Sequence, residues 1–295
     1  MRDFSNDHDW LSINTATVRR QGGAEVPLAR IIDQCARHGI QAISPWRDQV
    51  AAAGLAQVRS QLRAHGIGLS GYCRGGFFTA ADEAGRRAAL DDNRRAIDEA
   101  LALDAPCVVL VVGSLPGALE GKALHKDIGG ARAQVRDGIA ETLAYAREAG
   151  MPLAIEPLHP MQAAERACIN TLAQALDLCE TLDPLAQGGR AMLGVALDVY
   201  HVWWDPELER QIARAGRDRL FAYHVCDWRL PTRDLLSDRA MMGDGVIDLP
   251  RIRGWVEAAG YAGYSEVEIF SEADWWQRSG EDILQTCITR HRTVV

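Results

Sequence analysis

From Trp10 onward one unit recurs about eight times, at an irregular spacing of roughly 30 residues: a short apolar run, a loop, then an amphipathic helix often closed by Gly. Few architectures accommodate that pattern. Strands that alternate with helices pair in parallel, because each helix must cross back over the sheet with the same hand. The strand candidates are 11–14, 42–44, 69–73, 107–112, 153–156, 192–198, 220–225 and 265–270. Helices are expected at 27–38, 55–65, 84–103, 131–149, 172–182, 206–215, 249–259 and 280–291. The unbroken run Val108-Val109-Leu110-Val111-Val112 has the character of a parallel strand buried on both faces. Eight such units in 295 residues match the count and size of a (β/α)8 barrel. The expectation is an α/β fold, one TIM-barrel domain over residues 1–295. An open doubly wound sheet is the alternative, but no G-x-G-x-x-G follows the first strand.

Charge and cysteine usage narrow the partners. The net charge is −8 and Lys and Arg form no cluster. That argues against a nucleic-acid surface, which needs grouped cations, and gives no reason to expect a membrane partner. The seven cysteines are scattered, with no C-x-x-C pair, as in a reducing compartment. Residues 1–9 are polar and charged, unlike a secretory leader, and no apolar run reaches the roughly 18 residues that span a bilayer. A cytoplasmic protein is expected.

The chemistry gathers at strand ends. In Ser265-Glu266-Val267-Glu268-Ile269-Phe270, alternation puts both glutamates on one face and Val267 and Ile269 on the other. Two carboxylates on a buried strand face are unfavourable unless a cation or partner compensates them. Three earlier strands end in Glu156, Asp198 and His224. In a barrel of this kind the ends of successive strands converge at the C-terminal mouth. Glu156, Asp198, His224 and Glu268 are therefore the candidate metal ligands. Three carboxylates and an imidazole suit a divalent cation, Mn²⁺ or Mg²⁺ first, with Co²⁺ or Zn²⁺ as further candidates. The alternative is four separate ion-pair or helix-cap residues. His159 and His201, each three residues past a ligand, are candidate contacts for a substrate hydroxyl or carbonyl. Trp203 and Trp204 follow as a candidate apolar wall, core packing or subunit contact. Trp46 and Arg74, after the second and third strands, and Arg229, after the seventh, complete the substrate-contact set. Neither a G-x-S-x-G elbow nor a P-loop is present.

The segments Ala154-Ile155-Glu156-Pro157, Leu197-Asp198-Val199-Tyr200-His201, His224-Val225-Cys226-Asp227, Gly243-Asp244-Gly245-Val246-Ile247-Asp248 and Glu266-Val267-Glu268-Ile269-Phe270 occur in that order. The chain thereby resembles the xylose-isomerase-like TIM barrels, also called the sugar phosphate isomerase/epimerase family, over nearly its whole length. The resemblance implies a metal, usually Mn²⁺, Co²⁺ or Mg²⁺, held by Glu156, Asp198, His224 and Glu268. It implies that Glu156 and Glu268 exchange a substrate proton across a ketose or keto-sugar, and that His201 contacts a substrate oxygen. Lyases of the same family start from the same proton abstraction, so a dehydratase or keto-glycoside-cleaving enzyme is the alternative activity. Ketose 3-epimerases carry a second glutamate six residues beyond the first. Here that position is Gln162, and the loop bearing Arg229, Arg233 and Arg239 also departs from theirs. Dimers and tetramers are common in the family, and Trp203-Trp204 and Trp275-Trp276 are candidates for such contacts.

Overall fold

Alternation along the strands decides which side chains enter the barrel and which meet the helices. The computed structural model describes residues 1–185 and 191–295. Its strands are β1 Leu11–Asn14, β2 Ala42–Ser44, β3 in two pieces (Gly68–Leu69 and Tyr72–Gly76), β4 Val108–Val111, β5 Leu153–Ile155, β6 Leu193–Asp198, β7 Leu220–Val225 and β8 Ser265–Val267. Neighbours within the barrel sheet are all parallel, and β1 lies between β8 and β2, so the last strand returns to the first; two short antiparallel pairs, Arg20–Gln21 with Ala24–Glu25 and Asp227–Trp228 with Arg239–Ala240, stand outside it. This is the expected TIM barrel.

The third strand differs from the expected 69–73. Its first piece pairs with β2 and its second with β4, and the second piece runs on to Gly76. A bridge between Trp46 and Cys73 carries the barrel across the break. Glycine makes the extension feasible. Gly76 has φ +106°, and a Cβ there would lie 1.9 Å from the Val111 carbonyl oxygen. After β2 come two helices, Arg47–Ala53 and Leu55–His65, separated by Gly54 at φ +87°. The helix expected at 206–215 is Leu208–Arg219, preceded by a single turn at Val199–Val202. That turn starts directly on Asp198, whose side chain accepts from Tyr200 N.

Two apolar clusters form, one on each side of the sheet. Outward-facing Leu153, Ile155, Val195, Leu197, Tyr223 and Val267 pack with the helices in the main core. The second cluster, inside the barrel, is built of small groups: Cys73, Cys107, Val109, Ala154, Ala196 and Ala222. Large branched residues more often fill such an interior. Small ones beneath the mouth leave room for the polar residues one step further along the same strands. Glu156 follows Ala154 in this way, Asp198 follows Ala196, and His224 follows Ala222. No helix among the described residues is long and apolar enough to cross a membrane.

Candidate metal centre

Register places the four strand-end groups side by side. His224 is paired with Asp198 on one flank and with Glu266 on the other. Glu156, just beyond β5, is tied down by its backbone N donating to Leu110 O, and Glu268 by its N donating to Val225 O, both at 3.1 Å. One ligand atom from each of Glu156, Asp198, His224 and Glu268 lies within 4.8 Å of the others, and all four residues are buried.

The charges here do not balance among themselves. His224 Nδ1 lies 3.0 Å from Glu156 Oε1 and 3.4 Å from Glu268 Oε2. Burial opposes a charged imidazole, but Glu266, then Glu156 and Glu268, more than offset it and hold His224 well above its usual range. Burial pushes the Glu156 carboxyl up to about 7. Burial also acts to raise Glu268, yet Arg239 and then His224 draw it below its ordinary value. Three oxygen donors and one nitrogen, held together in a buried site, fit a divalent cation such as Mn²⁺, Mg²⁺, Co²⁺ or Zn²⁺.

Glu266 has a role that strand alternation alone did not reveal. It sits beneath the four, fully buried, with Oε1 3.4 Å from His224 Nε2. That separation is too long for a good hydrogen bond, and Nε2 has no other partner. Asn14 Nδ2 donates to Glu266 Oε1 at 2.8 Å, and Ser70 Oγ to its Oε2 at 2.7 Å. The carboxylate is thus fixed where it can receive the Nε2 proton and leave Nδ1 facing the other ligands. Glu266→Gln is expected to weaken divalent-cation affinity about 10–100-fold. Titration calorimetry on the metal-stripped protein reads this, and an unchanged affinity would remove Glu266 from the site.

Arg239 is the second residue that strand-end reasoning did not place. It is 4 % exposed; its Nη1 donates to Asp198 Oδ2 at 2.8 Å and to Glu268 O at 3.0 Å, and lies 3.4 Å from Glu268 Oε2. Its guanidinium lies 4.5 Å from the Tyr200 ring centre. The sequence signal was an arginine opening the apolar run Ala240-Met241-Met242, since a buried arginine needs an acidic partner. Asp227 shapes the loop behind it by accepting from the backbone N of Gly243, Gly245 and Ile247. A Cβ on Gly245 would lie 2.3 Å from Trp228 O, which is why that motif needs glycine.

Of the expected substrate contacts, Trp46, Arg74 and His201 line the cleft above the four ligands, together with Glu156, Glu268 and Arg239. Gln162, Arg166, Leu235, Leu236 and Phe270 complete much of its wall. Burial drives His201 down to about 3, so its imidazole is neutral. Both of its ring nitrogens face protein donors, His159 N at 3.1 Å from Nδ1 and Arg239 Nη2 at 3.2 Å from Nε2, and Nε2 lies 3.6 Å from Asp198 Oδ2.

Two of the expected contacts stand elsewhere. His159 packs against Trp228, ring centres 4.9 Å apart, and supports His201 from behind rather than lining the cleft. Arg229 donates to Asp274 Oδ2 at 2.7 Å and lies 3.4 Å from Asp238. Its charge is taken up within the loop, so it is not a cleft residue. Of the tryptophan pairs, Trp275 and Trp276 are buried and Trp203 and Trp204 half-buried. Trp203 lies against Trp228, Trp204 Nε1 donates to His201 O, and Trp276 Nε1 donates to Ala16 O.

The sequence model for xylose isomerase-like TIM barrels matches residues 32–286. The chain belongs to this family. A crystal structure of a Sinorhizobium meliloti protein is 56% identical, covers 97% of this chain and 98% of its own, and superposes with a TM-score of 0.90. An inosose isomerase from Halalkalibacterium halodurans is 28% identical over 213 residues, which is 71% of this chain and 69% of that protein. A crystal structure described as IOLI protein with a bound zinc atom shares the fold at a TM-score of 0.74 and 20% identity, covering 95% of this chain and 96% of its own.

Proposed function

We propose that this chain is a divalent-metal-dependent isomerase or epimerase of a ketose or keto-sugar. It is an enzyme of the sugar isomerase and epimerase type. The observation that carries the finer reading is the placing of Glu156 and Glu268. They are the outer pair of four ligands on consecutive strands, and both face the cleft. Glu156, Asp198, His224 and Glu268 would hold a divalent cation, which would supply Lewis-acid polarisation of a substrate carbonyl and so acidify the neighbouring C–H. Glu268, held in its ionised form by Arg239 and His224, removes that proton, and Glu156 returns one to the opposite face. Arg239 keeps the Glu268 carboxylate oriented through its bonds to Asp198 and to the Glu268 carbonyl. His201, which lines the same cleft, is the contact we assign to a substrate oxygen.

Leu235 and Leu236 supply apolar wall to the cleft opposite the acidic ligands. We take the partner to be a small sugar and not a nucleic acid or membrane. Seven free, buried cysteines support a cytoplasmic setting, and we include a homo-oligomer in the reading. Mn²⁺ is the metal we would load first.

Proton NMR of the Mn²⁺-loaded protein in D₂O, with free ketoses, ketose phosphates and 3-keto-glycosides, tests the reading. Deuterium beside the carbonyl together with a new epimer or aldose is the expected result. Loss of water or of an aglycone instead would make the enzyme a lyase.

A further inference from the structure

Around the barrel mouth most arginines have an acidic partner. Arg19 is matched by Asp48, Arg20 by Glu272, Arg47 by Asp92 and Glu99, Arg229 by Asp274 and Arg233 by Asp238. Within the cleft, Arg239 is taken up by Asp198 and Glu268. Arg74 and Arg166 differ. Both line the cleft, and among the described residues neither guanidinium pairs with a carboxylate or donates a hydrogen bond. Each is only partly exposed.

Arg74 is placed deliberately. Its guanidinium sits 4.1 Å from the Phe77 ring centre and 5.7 Å from that of Trp46. Ring packing occupies the face of the guanidinium and leaves its edge N–H groups free to donate. Burial and then the charge of Arg166 disfavour its cation, and Glu156 opposes them. Two like charges brought together in a half-buried cleft repel unless something anionic is shared between them.

Charge counting sharpens the point. Glu156, Asp198, Glu266 and Glu268 carry four formal negative charges, and a divalent cation with Arg239 would supply three positive ones. Arg74 and Arg166 then leave one positive charge in excess, on the side of the cleft a substrate reaches. Resting on the proposed function of the site, we propose that the substrate bears an anionic group, a carboxylate or phosphate, gripped between Arg74 and Arg166. Arginine matches either through paired N–H donors.

The test compares three ligands with one carbon skeleton: glycerol, glycerate and glycerol 3-phosphate, titrated by NMR onto the Mg²⁺-loaded protein. At least one anion is expected to bind about tenfold or more tighter than glycerol. The stronger of the two names the group. That preference should collapse in Arg166→Gln and in Arg74→Met, which retains packing against Phe77 and Trp46. Arg166→Lys, which keeps charge but not the paired donors, guards against a folding defect and should retain part of it.

Equal binding of all three ligands would overturn the proposal. So would a preference that survives both neutral substitutions, since the anion would then be held by the metal or Arg239. Neither result depends on turnover. A neutral ketose that exchanges deuterium while anions show no preference sinks this inference alone. An anion preference without any exchange sinks the proposed function alone.

Discussion

Glu268→Gln is expected to lower kcat by on the order of 10²–10⁴-fold, the usual contribution of a positioned proton-transfer group. The amide is nearly isosteric with the carboxylate and the position is 4 % exposed, so the fold should persist. Removing a buried charge also relieves part of the repulsion with Asp198 and Glu156. Arg239 retains Asp198 and the Glu268 carbonyl as acceptors, which protects the clamp from collapse. Circular dichroism and melting temperature close to wild type, with turnover lost, is therefore the signature. Deuterium exchange refines the outcome. If the two glutamates serve opposite faces, Glu268→Gln and Glu156→Gln should each stop interconversion while washing proton out of a different epimer. Near-wild-type kcat in either variant would remove the two-carboxylate reading.

Metal removal should have an equally large effect on activity and a second one on stability. Stripping with EDTA is expected to abolish turnover, and adding back Mn²⁺, Mg²⁺, Co²⁺ or Zn²⁺ should restore it to different extents. A cation that binds only the folded chain stabilises it by about 2.7 kcal/mol at a concentration 100 times its Kd. At roughly 2–4 °C per kcal/mol for large domains, the melting temperature should rise by several degrees as metal is titrated in. The physical source is local: Glu156, Asp198 and Glu268 are buried within a few ångströms, and among the described residues only Arg239 and His224 pair with them as internal counter-charges. Full activity and an unchanged melting curve after stripping, with no metal found by elemental analysis, would refute metal dependence.

Much of this protein is legible from pattern alone because a strand has a period of two. Ala154 to Glu156, Ala196 to Asp198, Ala222 to His224 and Glu266 to Glu268 are same-face steps, so each polar residue lies above a small or polar one in the barrel interior. Parallel neighbours with regular register then bring their ends together without further information. The barrel, the strand assignments and the grouping of Glu156, Asp198, His224 and Glu268 follow from that chemistry.

What local pattern could not reach lies in loops and in partners distant along the chain. Arg229, Arg233 and Arg239 look alike in sequence; contacts with Asp274, Asp238 and Asp198 separate two loop braces from one cleft residue. His159 and His201 occupy equivalent places after their strands, yet only His201 faces the cleft, because Trp228 holds the His159 ring behind it. The extension of the third strand to Gly76 depends on that glycine fitting against Val111 across the sheet. The sequence by itself determined the barrel and the residues at its mouth, since both rest on short-range periodicity. Tertiary structure alone decided which charges remain unmatched there, because pairing a charge depends on residues tens to hundreds of positions away.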